Sequence, residues 1–248
     1  MFVKFFRIFG YQVQRVKIPG SIEFPVETSV KDKELISTCL EYSMTSPVRM
    51  WSLVGALKYI ETQNISGDLI ECGVWKGGNL LLFDAYRKES KFRRQIYGFD
   101  TFDGMSEPTE HDIDFLGLDA KIAMSNQKKS ELVHNILAVC SLETVEKNLK
   151  KYGAAEYTTL IKGKVEDSLM VSKNLPNKIA ILRLDTDFYE STKIELEILY
   201  PLLQTGGILI IDDYGHFKGA KKAVDEYFEG KDIWLHYVDY TCRLVYKR

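Results

Sequence analysis

A chain of 248 residues in which 45% are hydrophobic is long enough to close one substantial core. Its formal net charge of -2 excludes the global basic field on which nucleic-acid binders rely. Its four cysteines (Cys39, Cys72, Cys140, Cys242) form no CxxC pair, which argues against a disulfide framework and a zinc site. No apolar run approaches the roughly 18 residues of a membrane span and no signal peptide is visible, so a cytoplasmic protein is expected.

The chain opens on "MFVKFFRIFGYQVQRVK", where Phe2, Phe5, Phe6, Ile8 and Phe9 alternate with Lys4, Arg7, Arg15 and Lys17. Residues 1–17 therefore suit either peripheral contact with an anionic membrane surface or packing on the main domain or a second subunit. Residues 1–43 are read as a helical extension and 44–248 as one domain. "DLIECG" is a short apolar strand and "NLLLFDAYRK" has helical composition; "QIYGFD" is the second strand. Residues 103–135, opening with the acid-rich "DGMSEPTEHDIDF", fit no element and are expected to form a mobile lid, since longer structureless loops tend to be lids. "SLETVEKNLKKYG" reads as a helix with Ser141 as N-cap, Glu143 in the first turn and Gly153 past its end. "YTTLIKG" and "IAILRLD" are the third and fourth strands. "STKIELEILYPLL" is a helix shortened or kinked by Pro201 and stopped near Gly206. "GGILIIDD" is the fifth strand, and "GAKKAVDEYFEG" places Ala220, Ala223, Val224, Tyr227 and Phe228 on one helical face. "IWLHYV" and "TCRLVYK" close the chain as two late strands that could pair as a hairpin.

Alternating strands and helices imply βαβ units and a mostly parallel sheet with helices on both faces. Ligands bind such sheets beyond the carboxyl ends of the strands. Four of these strands end in acids (Glu71, Asp100, Asp185 and Asp212), which converge on one rim. Such crowding calls for a cationic or hydroxyl-rich ligand. The turn "ECGVWKGGN" is neither GxGxxG nor a GK[ST] phosphate loop. Asp100 is placed to accept both hydroxyls of a ribose. Together these features favour S-adenosylmethionine over a dinucleotide, with tight-turn glycines and capping acids as the structural alternative.

The blocks "MTSPVRMWSLVGALKYI", "GDLIECGVWKGG", "YGFDTFDGMSEPTEHDIDF", "KGKVEDSL", "LRLDTDFYESTKIELEILYP", "GGILIIDDYGHFKGAKKAVDEYF" and "DYTCR" resemble, in order, the macrocin O-methyltransferase (TylF-like) family. The resemblance runs from about Met44 to the C-terminus. Where the family pattern commonly has Asp-Tyr-Thr-Gly-Arg, this chain carries Cys242 in place of the glycine. The resemblance implies a class I methyltransferase (Rossmann-like) fold with a late antiparallel strand, S-adenosylmethionine as donor and a divalent metal, usually Mg²⁺. It implies methylation of hydroxyls, typically on sugars of glycans or natural products. Carried onto this sequence, it places Glu71 and Gly73 beside the methionine part of the donor, Asp100 at the ribose and Asp167 near the adenine. Asp185, Asp212 and Asp213 match the family's metal ligands.

The residues support that chemistry independently. Three carboxylates at two strand ends make a hard oxygen site suited to Mg²⁺ and poor for zinc, with capping by Asp213 as the alternative. A sugar hydroxyl needs a base. His216 has a suitable native pKa, Asp187 competes with it, and Asp185 could act despite metal coordination. His111 ranks third, as a substrate or lid contact, while His134 and His236 read as structural. A sugar-containing acceptor and a homo-oligomer are expected. The alternatives are a catechol-type small-molecule O-methyltransferase, a non-catalytic partner of a glycan-synthesis complex, and a nicotinamide-dependent dehydrogenase.

Overall fold

A computed structural model describes residues 24–127 and 138–248, so the aromatic-basic stretch 1–17 and His134 lie outside the described residues. Two helices come first, α1 (Val30–Leu40) and α2 (Pro47–Thr62). Ser29 and Ser46 cap them, their side chains accepting from Asp32 N and Arg49 N, and Pro47 sits at the helix start, where an N–H has no intrahelical partner. Ile36 and Cys39 of α1 join Met50, Leu53 and Leu57 of α2 in one core, so packing does not divide the chain at residue 43.

The alternating part follows in order: β1 (Asp68–Cys72), α3 (Gly78–Arg87), β2 (Ile96–Asp100), α4 (Ala120–Gln127), α5 (Leu142–Lys151), β3 (Thr158–Lys162), α6 (Val165–Ser168), β4 (Ile179–Leu184), α7 (Tyr189–Leu199), β5 (Leu203–Ile211), α8 (Lys218–Tyr227), β6 (His236–Tyr237) and β7 (Arg243–Tyr246). Among the described residues these strands form one sheet in the order β3-β2-β1-β4-β5-β7-β6. β1 to β5 are parallel and β7 runs antiparallel to both of its neighbours, as expected for the late strands.

Side chains alternate across the sheet, and each face has its own core. Leu69, Ile96, Ile181, Ile208 and Ile210 pack under α1, α2 and α3, whereas Ile70, Phe99, Leu182, Leu209 and Ile211 pack against the side that carries Leu196 of α7 and Val224 of α8. Strand order reverses between β1 and β4, the place where an open parallel sheet leaves a crevice. Among the described residues no helix is long and apolar enough to cross a membrane.

Boundaries differ from the sequence reading in two places. α7 ends at Leu199, a 3-10 turn spans Tyr200–Leu202, and β5 starts at Leu203, ahead of Gly206 rather than after it. Pro201 has no N–H for a continued helix, so the turn tightens there. Of "IWLHYV" only His236 and Tyr237 pair, and both are exposed at the sheet edge.

The segment expected to be structureless from 103 to 135 has anchors in its described part. Asp112 is fully buried; its carboxylate accepts from Thr109 N at 2.6 Å and from Tyr189 N at the start of α7 at 2.8 Å. Ile113 and Asp114 bridge to Asp119 and Phe217, and α4 follows. Gly219 on α8 leaves the room this needs, since a Cβ there would stand 2.0 Å from Asp112 Oδ1.

Candidate active site

At the carboxyl edge of the sheet lies a cavity of about 220 Å³. Asp100 from the end of β2, Asp185 and Asp187 from beyond β4, and Asp212 and Asp213 from beyond β5 all line it. The sheet ladder itself sets two of them: Asp185 N donates to Cys72 O, and Asp212 N to Leu184 O, each at 2.9 Å. Gly73 permits the first contact. Its φ is +84°, and a Cβ there would lie 1.9 Å from the Asp185 carbonyl oxygen. Gly73 is thus where the ends of β1 and β4 meet, besides lining the cavity.

Carboxylate oxygens of Asp185, Asp212 and Asp213 lie within 4.8 Å of one another. Asp213 Oδ2 is buried and has no hydrogen-bond partner, and the Asp213 side chain does not cap α8, whose N-cap is Phe217. A buried, unsatisfied carboxylate oxygen beside two more carboxylates fits a hard divalent cation. Burial first, and then the charges of Asp187, Asp185 and Asp212, push the Asp213 carboxyl well above the carboxylate range. Burial raises Asp185 as well, against the pull of Arg183. Asp187, held at φ +67°, is pushed up to about 6, above all by burial.

Two arginines share this ground. Arg183 interrupts an otherwise apolar β4 and stands in register with Glu71 on β1. Its guanidinium, 2% exposed, donates to Glu71 Oε1 at 2.7 Å, to Asp185 Oδ2 and Asp212 Oδ1 at 2.8 Å each, and to Thr45 Oγ1 at 2.9 Å. Arg49, near the start of α2, reaches Asp212 Oδ2 through Nη1 at 2.5 Å and Asp239 Oδ2 through Nε at 2.7 Å. The crowded acids are therefore already partly balanced by guanidinium groups. Neither arginine was singled out from sequence, although a charged residue inside a strand as apolar as "IAILRL" must be paired once buried.

The other expected site residues fall as follows. Asp100 lines the cavity, but its carboxylate is also a loop anchor: Oδ2 accepts from Val74 N at 2.7 Å and Trp75 N at 3.0 Å, and Oδ1 from Phe102 N at 2.7 Å. Glu71 is 1% exposed and stands behind the cavity, bound to Arg183 and to Asn79 Nδ2, with burial pushing it up to about 7. Asp167 on α6 is exposed and off the cavity wall, whereas its neighbour Glu166 lines the wall with Oε2 buried and unpartnered. The helical turn of α6 carries the acid one position earlier inward.

His216 is off the cavity wall, its Nδ1 paired with Tyr240 Oη at 3.2 Å and its ring 5.2 Å from that of Phe115. Burial lowers its pKa. His111 packs on Tyr189 and pairs with Lys222 Nζ, outside the cavity wall. Met105, Ser106 and Ala138, on either side of residues 128–137, border the cavity, as does Trp75.

The "DYTCR" turn supports the triad from below. Asp239 Oδ1 accepts from Thr241 N and Cys242 N, and Thr241 Oγ1 donates to Asp212 O at 2.6 Å. Cys242 is buried and is not among the residues with positive φ, so this turn does not require a glycine.

The sequence model of the macrocin O-methyltransferase (TylF) family matches residues 12–248, starting well ahead of Met44. The chain is 31% identical over 188 residues to the 8-demethyl-8-(2,3-dimethoxy-alpha-L-rhamnosyl)-tetracenomycin-C 4'-O-methyltransferase of Streptomyces olivaceus, a span of 75% of this chain and 67% of that protein. It is 32% identical over 194 residues to the demethyldecarbamoylnovobiocin O-methyltransferase of Streptomyces niveus, a span of 77% and 70%. The solved structure of the O-methyltransferase NovP superposes with a TM-score of 0.71 at 28% identity, over 83% of this chain and 82% of that one. With the β3-β2-β1-β4-β5-β7-β6 sheet and the acids at its carboxyl edge, this match makes the chain a member of the macrocin O-methyltransferase family, and the protein an O-methyltransferase.

Proposed function

We propose that this enzyme transfers the methyl group of S-adenosylmethionine to a sugar hydroxyl of a glycosylated natural product or glycan, with Mg²⁺ at Asp185, Asp212 and Asp213. The observation that carries this reading is that one cavity holds both Asp100, suited to a ribose, and three clustered carboxylates with an unsatisfied oxygen. A relative named for 4'-O-methylation of a rhamnosyl-bearing tetracenomycin favours a glycosylated acceptor.

In this reading Asp100 accepts from the ribose hydroxyls while still holding Val74 and Trp75, so donor binding and loop position are linked. Glu166, rather than Asp167, faces the base of the donor. Gly73 borders the methionine part, and Glu71 acts from behind through Arg183. Bound Mg²⁺ supplies a Lewis acid that makes the acceptor hydroxyl more acidic. Asp187, on the cavity wall beside the triad, takes the hydroxyl proton; His216 is off that wall and is worse placed. S-adenosylmethionine, held by Asp100 and Gly73, would supply the methyl group from its sulfonium and leave as a neutral thioether. The protein's main contribution is to hold the two reactants in line. A homo-oligomer and membrane contact by residues 1–17 belong to the same proposal.

Family membership sets aside the dehydrogenase and the non-catalytic partner. The test is incubation with S-adenosylmethionine and two acceptor sets, glycosides with free sugar hydroxyls and simple diphenols, read by mass spectrometry. Methylated glycosides are expected. Methylation of the diphenols alone would replace the sugar reading with the catechol-type one.

A further inference from the structure

A cation on Asp212 would sit against two guanidinium groups, and repulsion between like charges favours the release of one of them. Oδ1 accepts from Arg183 Nη2 at 2.8 Å and Oδ2 from Arg49 Nη1 at 2.5 Å, so both oxygens already carry a guanidinium. The two arginines are not equally free to move. Arg183 is 2% exposed and is held at the same time by Glu71, Asp185 and Thr45. Arg49 is 15% exposed and lines the cavity. Its Nε has a second partner, Asp239 Oδ2, at 2.7 Å. Asp239 is in turn fixed by Thr241 N at 3.1 Å and Cys242 N at 2.9 Å. Arg49 can therefore release Asp212 and stay on the cavity wall.

We propose that Arg49 is a positioning residue that trades places with the cation. Before the cation arrives, Nη1 neutralises Asp212 and keeps its carboxylate aimed at Asp185 and Asp213. When the cation takes Asp212 Oδ2, Nη1 comes free while Nε stays on Asp239. The freed N–H donors then face the cavity, where they can meet an oxygen of the acceptor. The fork of an arginine suits this task, because its donors are spread in a fixed plane that reaches two carboxylates, whereas a lysine ammonium is a compact charge on a shorter, flexible stem. The proposal also gives the "DYTCR" turn a role: it holds the anchor on which Arg49 pivots. It rests on the Mg²⁺ reading of the aspartate triad.

The test uses the full-length protein and MgCl₂ alone, by titration calorimetry, with thermal unfolding to confirm that each variant is folded. Arg49→Met removes the competitor and should bind Mg²⁺ about tenfold more tightly than wild type, the factor one charge-assisted contact is worth. Arg49→Lys keeps the charge but loses the fork, and should fall between the two. The gain in melting temperature on adding Mg²⁺ should be largest for Arg49→Met. Equal or weaker binding by Arg49→Met would overturn the exchange and leave the metal site standing. Arg49→Lys indistinguishable from wild type would overturn it too, since charge alone would then explain the change. No heat from wild type or either variant would sink the metal site, and Arg49's role with it.

Discussion

Arg183→Met should be among the most damaging single changes outside the apolar core. The side chain fits the volume, but the guanidinium leaves behind Glu71, Asp185 and Asp212, which it meets at 2.7, 2.8 and 2.8 Å. Removing one partner of a buried ionic network costs about 3–5 kcal/mol. A chain of this size loses about 2–4 °C in melting temperature per kcal/mol, so the fall should be roughly 6–20 °C. The deficit also depends on pH. Burial already pushes Glu71 up to about 7 while Arg183 pulls it down, so without Arg183 its folded-state pKa rises further. A carboxyl whose folded pKa is raised above the unfolded value loses stability as pH climbs, because the unfolded chain ionises it freely. The variant's deficit against wild type should therefore widen as pH rises past about 7, the wild-type folded value, because below it both proteins already carry the same loss. Adding Glu71→Gln to Arg183→Met should recover part of the loss at pH 8 and little at pH 5. Urea denaturation at the two pH values measures this. An Arg183→Met protein within 1 kcal/mol of wild type, or a deficit that shrinks as pH rises, would refute the role given to the buried arginine.

Three further outcomes follow from the geometry. Gly73→Ala should cost about 2 kcal/mol or more in urea denaturation, because its Cβ would lie 1.9 Å from the Asp185 carbonyl oxygen at a φ of +84°. Unchanged stability would mean that β1 and β4 do not meet there. Asp100→Ala should weaken S-adenosylmethionine about tenfold or more by calorimetry, with Asp100→Asn less affected because it keeps a carbonyl oxygen for the loop amides. An unchanged dissociation constant in both would remove Asp100 from the donor site. Asp112→Ala should speed hydrogen exchange over residues 109–120 by releasing Thr109 N and Tyr189 N, and exchange equal to wild type would show that the segment is held elsewhere.

The fold was legible because its signals are local and repeated. Apolar runs ending in acids gave β1, β2, β4 and β5, and Ser141 with Gly153 bracketed α5. The acids at the strand ends also gave the triad, which the structure brings together. What the sequence hid was pairing across distance. Arg49 lies 163 residues from Asp212 and Arg183 lies 112 from Glu71, and no periodicity links them. Asp167 lies off the cavity wall for a similar reason: "GKVED" offers two adjacent acids, and only the phase of a four-residue helix decides that Glu166 faces inward. Glu71 looked like a ligand contact because it ends an apolar run, yet its register with Arg183 turns it into the core. The long segment after Asp103 looked structureless since its anchor, Asp112, binds a backbone amide 77 residues away.

The central claim is that Asp185, Asp212 and Asp213 hold the metal on which methyl transfer depends. The most direct measurement is methyl transfer from S-adenosylmethionine to a glycoside acceptor, with chelator, with chelator followed by excess Mg²⁺, and for the Asp185→Asn, Asp212→Asn and Asp213→Asn variants. Transfer should vanish in chelator, return with Mg²⁺, and fall by orders of magnitude in each variant, while donor binding by calorimetry changes far less. Full activity in chelator, or in all three variants, would contradict the account and leave Asp185 and Asp212 as partners of the two arginines alone.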